Sequence, residues 1–137
     1  MILVLTCIAI GAAILVMRPN VEAVALVKFP HTWTVGEYEN YIQQLDGPPV
    51  LNAVLENPAL RRLAGSRRDV IRLVEAIEVD RPGNGEIVRI RLGGNSRRVD
   101  PKLLLQLVDR TVDAWLNQIN TQDSRVQIVQ KATLLHN

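Results

Sequence analysis

Glu86-Ile87-Val88-Arg89-Ile90-Arg91-Leu92-Gly93-Gly94-Asn95-Ser96-Arg97-Arg98-Val99-Asp100-Pro101 decides how the chain is read. Val88, Ile90 and Leu92 alternate with Arg89 and Arg91, the period-two signature of a half-buried strand with one oily and one charged face. Gly93-Gly94-Asn95-Ser96 ends the alternation. Asp100 then offers a side-chain acceptor to a new helix, and Pro101 suits its first position, where a missing N–H costs nothing. A strand followed at once by a helix start makes the region mixed α and β.

Downstream, Leu104, Val108, Val112, Trp115 and Ile119 recur every three or four residues, one face of a helix. Val126, Val129 and Ala132 continue that spacing past a polar stretch. The pattern predicts one helix over 101–135, roughly 50 Å long at ~1.5 Å per residue. A helix of that length with a thin apolar stripe packs on other helices, often those of other subunits. Leu104, Val108, Val112, Trp115 and Ile119 are therefore the expected packing and oligomerisation residues.

Upstream, Arg81-Pro82-Gly83-Asn84-Gly85 is a dense turn signal, with Val79 in a short strand leading into it. Glu22 to Phe29 reads as a strand, with Ala23, Ala25, Val27 and Phe29 on one face and Val24, Leu26 and Lys28 on the other. Thr34 caps a helix with Glu37 three residues on, and Tyr38, Tyr41, Ile42 and Leu45 form its stripe. A second helix carries Val50, Leu51, Val54 and Leu55 and ends near Asn57-Pro58; a short turn over 59–63 follows. Ser66, with Asp69 three residues later, caps a third helix bearing Val70, Ile71, Val74 and Ile77.

Met1 to Met17 is apolar but for Thr6 and Gly11, has no charged residue, and ends at Arg18-Pro19-Asn20. As a helix it covers roughly 25 Å of a hydrocarbon layer ~30 Å thick. A membrane anchor, a cleaved signal peptide and a buried core element are the three readings; the signal peptide lacks a basic leading region. The anchor is the expectation. The fold class expected is α+β: a transmembrane helix over 1–18, then a domain over 21–137 with two or three strands, helices and a long C-terminal helix. Arg18 and Lys28 near the span lean toward a cytoplasmic domain.

The 16 Lys and Arg against 14 Asp and Glu leave a net charge of only +2, and no aromatic is interleaved with the arginines, so no nucleic-acid partner is expected. Cys7 is the only cysteine and lies in the apolar run, which leaves the domain without a disulfide or a cysteine metal site. His31 and His136 lie far apart in sequence. No phosphate-binding glycine loop occurs, and the glycine pairs at 83–85 and 93–94 lack dinucleotide spacing. Asp109 and Asp113 stand one helical turn apart beside Arg110 and read as a solvated face. No cofactor, metal or catalytic group is expected, and the chain reads as a non-enzyme. A glycan hydrolase would need a paired carboxylate cleft. Arg61-Arg62, Arg67-Arg68 and Arg97-Arg98 read as salt-bridged surface charge, with lipid headgroups or an acidic glycan as the functional alternatives. Arg89 and Arg91 are the expected exposed pair for glycan or subunit contact.

The order of these elements resembles the extracytoplasmic region of Wzz-like polysaccharide chain-length determinants, which also occurs attached to capsule and exopolysaccharide tyrosine kinases. The residues carrying the resemblance are Gly47-Pro48-Pro49-Val50-Leu51-Asn52-Ala53-Val54-Leu55, Ile77-Glu78-Val79, Glu86 to Leu92, and Asp100-Pro101 with Leu107-Val108-Asp109 and Ala114-Trp115-Leu116. It spans about Val21 to Gln118. It implies a membrane-anchored, homo-oligomeric scaffold that regulates polysaccharide chain length or export, with a polymerase or export machinery as partner. It also implies a single-pass inner-membrane location with the domain outside the cytoplasm, against the charge lean. The family's second span and kinase ATP site have no counterpart here, so the chain is expected to be a piece of a larger protein or a truncated product. The alternative is a single-span adaptor of a secretion or pilus machine.

Overall fold

The computed structural model describes residues 20–29, 34–82, 85–120 and 126–136. Its centre is strand β1, Val21–Lys28, whose inward side chains Val21, Ala23, Ala25 and Val27 are all buried. Helix α1, Val35–Gln43, opens on Thr34, whose hydroxyl accepts from the Glu37 N–H at 3.1 Å. A 3₁₀ turn, Gln44–Asp46, leads to α2, Pro48–Leu55, which starts on two prolines. Helix α3, Pro58–Ala64, and helix α4, Arg67–Glu75, follow. Then come β2, Glu78–Asp80, β3, Ile87–Gly94, the long α5, Pro101–Asn120, and β4, Gln127–His136.

The four strands form one sheet in the order β2-β3-β1-β4, with every neighbouring pair antiparallel. Strand, helices, two strands, helix, strand in this order is the β-α-β-β-α-β ferredoxin-like arrangement. Helix α5 packs against β1, β3, β4 and α2, so the core lies between one face of the sheet and the helices. Its length is set at the start by Asp100, whose carboxylate accepts from the Lys102 N–H at 2.9 Å. Small side chains matter where sheet and helix approach. A Cβ on Gly94 would lie 2.9 Å from a methyl of the fully buried Leu104.

Three expectations are corrected here. The helix over 101–135 stops at Asn120, and 127–136 is strand β4, so the sheet has four strands and the last described element is a strand, not a helix. The reason is pairing: β4 supplies partners to the edge of β1 opposite β3, from Val21 against His136 to Lys28 against Gln127. Two irregularities in that register, between Val24 and Leu26 and between Leu26 and Val27, break the alternation, which is why the segment mimics helical spacing. Val126 and Ala132 are buried, but Val129 between them is 53% exposed. Second, 58–64 is a helix and not a turn. Pro58 stands at its first position, the Asn57 side chain accepts from the Ala59 and Leu60 N–H groups, and Gly65 closes it at φ 88°.

Third, the transmembrane helix over 1–18 lies outside the described residues, and among the described residues no helix is long and apolar enough to cross a membrane. No helix among the described residues supplies the single-pass inner-membrane span that was expected.

Asp109, expected on a solvated face, instead turns toward β4 and accepts from the Ala132 N–H at 2.8 Å. That N–H sits in an irregular stretch of the ladder, and the carboxylate supplies the acceptor that the strand does not. Asp109→Ala would leave a half-buried donor unpaired, and a loss of about 1–3 kcal/mol is expected in chemical denaturation, with faster amide exchange confined to β4.

A second polar group in the core has the opposite consequence. Thr111 on α5 is fully buried and its hydroxyl makes no hydrogen bond among the described residues. Valine has nearly the same shape without the polar atom. Thr111→Val is expected to raise stability by about 1 kcal/mol, read as a shift in denaturation midpoint at unchanged slope.

Candidate interaction surface

The face of the sheet away from the helices carries the odd-numbered residues of β3 and the even-numbered residues of β1. Strand register places Glu78 opposite Arg91 and Asp80 opposite Arg89, while Val24 and Leu26 of β1 oppose Arg91 and Arg89 from the other side. Each guanidinium thus stands between a carboxylate strand and an apolar strand. Arg89 forks onto Asp80: its Nε donates to Oδ1 at 2.9 Å and its Nη2 to Oδ2. Arg91 reaches Glu78 at 3.3 Å, Glu22 at 3.8 Å and Asp80 at 3.9 Å. Its buried Nε has no hydrogen bond among the described residues. Lys28 and Glu86 pair at 3.5 Å at the end of the ladder.

This arrangement has a chemical consequence. Two guanidiniums share three carboxylates, so the cluster is not a cationic patch for a polyanion. Arg89 and Arg91, the expected exposed pair, are half-buried and ion-paired within the chain. Their stems lie beside Val24, which is only 8% exposed although it sits on the outer face. The ladder is an ion-paired surface with one carboxylate in excess.

The second group of expected contact residues lies elsewhere. Leu104, Val108, Val112, Trp115 and Ile119 are each no more than 2% exposed and form the heart of this chain's own core. Trp115 donates from Nε1 to the Tyr41 carbonyl at 2.7 Å and packs a tilted ring on Phe29 at 5.5 Å. Phe29 meets Tyr38 edge-on at 5.4 Å, and Arg81 covers the Tyr38 ring at 4.9 Å. Burial raises the Tyr38 hydroxyl pKa, with Arg81 opposing it.

Among the described residues the β4 side carries two of the exposed large apolar side chains, with Val35 and Leu63 elsewhere. β4 is the terminal strand of the sheet in the described residues, ten residues long, with Val129 and Leu135 each about half exposed. Leu135 opposes Glu22 and so shares the outer face with the ladder. The sequence hides this surface, because the alternation that would reveal it is broken by the register shifts.

Among the described residues no group of three or more His, Cys, Asp or Glu is placed to hold a metal ion. His31 lies outside the described residues, and His136 is exposed at the end of β4. A cleft of about 290 Å³ at the start of α5 is lined by Arg72 and Arg98 but also by Asp69 and Asp100. Its charges balance, two against two. No protein-family model matches the chain, and no curated protein matches it.

The Asp80–Arg89 pair makes a pH-dependent contribution with a definite sign. Hydrogen bonding from Arg89 chiefly, with charge from Arg89 and Arg91, holds the Asp80 carboxyl below its ordinary value of 3.8, against a smaller effect of burial. A folded value below the unfolded one means stabilisation that is complete above the unfolded value and lost as pH falls through the folded one. Wild type and Asp80→Asn are expected to differ most near neutral pH and to converge in strong acid, measured by denaturation across pH. The two-stranded pairing is exposed enough that the difference is small at high salt.

Proposed function

We propose that this domain is a non-catalytic, self-associating scaffold that serves surface-polysaccharide assembly by biasing chain length or export. The observation that carries the self-association is β4: a ten-residue terminal strand with exposed Val129 and Leu135 and no proline. A long edge strand with apolar side chains is a template for pairing with another chain unless it is blunted. Here the blunting is partial. The register shifts and the Asp109–Ala132 bond interrupt the middle of the strand, and Lys131 is its single cation within 127–136. A second copy of the same chain fits such an edge because an isologous contact needs no further complementarity than the strand itself supplies.

The outer face supports the same reading. Its two arginines are already ion-paired within the chain, so a neighbour covering it does not strand a lone guanidinium. The resemblance of Gly47 to Leu55, Glu86 to Leu92 and Asp100-Pro101 to the Wzz-like determinants supports the biological setting, with a polymerase or export machinery as the functional partner.

Sedimentation and crosslinking of the full chain test this. Wild type is expected to form dimers or larger species, and Val129→Lys with Leu135→Lys to shift it toward monomer at unchanged circular dichroism. In cells making the polysaccharide, the same double variant is expected to alter the length distribution of the polymer. A wild-type chain that stays monomeric, or a length distribution indifferent to loss of the chain, contradicts the proposal.

A further inference from the structure

Between the end of α1 and the start of α2 lies a groove of about 420 Å³. Asn40 and Gln43 of α1, Gln44 of the 3₁₀ turn and Gln118 of α5 line it together with Gly47, Pro48 and Pro49. No charged side chain lines it among the described residues. Its size is within the roughly 300–1,000 Å³ of small-molecule sites.

The groove is also held in shape. The Gly47 N–H donates to the Gln44 carbonyl at 3.1 Å, and the Leu51 N–H to the Gly47 carbonyl at 2.9 Å. A Cβ on Gly47 would stand 3.3 Å from the Gln44 carbonyl oxygen, a tight contact that the turn would have to relieve by a few tenths of an ångström. On either side Leu45 and Val50 are buried in the core and pin the turn to it. The Trp115–Tyr41 hydrogen bond ties α1 to α5 one helical turn before Gln118. The turn that carries Gly47 is therefore anchored by buried neighbours.

From this lining we infer that the groove binds a neutral, hydroxyl-rich ligand, a segment of uncharged oligosaccharide. A carboxamide carries an acceptor oxygen and two N–H donors, and a hydroxyl is both donor and acceptor, so amide and vicinal diol satisfy one another from both sides. An anion would find no cation in the groove and a cation no carboxylate, and each would lose hydration without a charged partner. A proline-rich peptide needs aromatic walls and an extended peptide needs a strand edge, and the groove offers neither. The apolar pyrrolidine rings of Pro48 and Pro49 offer an apolar contact to the C–H face of a sugar ring. The inference deepens the proposal above: it rests on that reading for its biological polymer, and on the groove alone for its chemistry.

The test is a titration of the ¹⁵N-labelled full chain with uncharged tetrasaccharides of glucose, galactose, mannose and N-acetylglucosamine, with tetragalacturonate as the anionic control. At least one neutral tetrasaccharide is expected to shift the side-chain amide signals of Asn40, Gln43 and Gln44 saturably, and tetragalacturonate to bind at least about tenfold more weakly. Gln44→Ala removes one hydrogen-bonding group and is expected to weaken binding about three- to tenfold. Gln43→Glu, which keeps the shape and adds a charge, serves as the second variant and is expected to weaken it as well. Sedimentation of the same samples is expected to be unchanged by either substitution. The inference is overturned if no neutral tetrasaccharide moves these amides, if tetragalacturonate moves them equally, or if both variants bind like wild type. Self-association that persists in those cases leaves the scaffold reading standing without the groove, whereas saccharide binding by a monomeric chain does the reverse.

Discussion

The helix α5 has to bury one face, and β1 is what it is buried on. Leu104, Leu107, Val108, Val112 and Trp115 are all essentially inaccessible, and they meet a sheet whose central strand carries Ala23 and Ala25 at its inward positions. Fully burying a large apolar side chain stabilises by roughly 1.5–3 kcal/mol, so a helix with this many such residues dominates the fold. β1 can play that part only if both of its edges are paired, because unpaired buried backbone groups are costly. β3 pairs one edge and β4 the other. The position of every surface described above follows from this, including the outer ladder, the β4 edge and the amide groove beside α5.

The local parts of this design were legible in the sequence. Thr34 with Glu37, Ser66 with Asp69 and Asp100 with Pro101 mark helix starts because capping is a short-range exchange of hydrogen bonds. The alternation at Val88, Ile90 and Leu92 marks β3 because one face is oily and the other charged. β4 was not legible. Gln127, Gln130, Lys131 and Leu134 are acceptable helix formers, the register shifts spoil the period, and the partner that makes the segment a strand lies about a hundred residues away in sequence. Propensity favours a helix there, and tertiary pairing overrides it.

The surfaces show the same division. That Arg89 and Arg91 face away from the core could be read from their alternation with Val88, Ile90 and Leu92. That they are neutralised could not, since Asp80 and Glu78 reach them only through the β2–β3 register. Leu104, Val108, Val112, Trp115 and Ile119 were legible as a packing stripe, but a stripe does not say whether its partner is the same chain or another. The amide groove has no sequence signature, because Asn40, Gln43, Gln44 and Gln118 come together only when α5 lies against α1.

The claim on which all of this rests is that 127–136 is a strand pairing with β1. Nuclear Overhauser contacts in the ¹⁵N,¹³C-labelled chain examine it most directly. The account predicts cross-strand contacts linking Val24 with Thr133 and Leu26 with Gln130. Contacts between residues three apart running from α5 through Leu135, with no contact to β1, would show a continuing helix and contradict it.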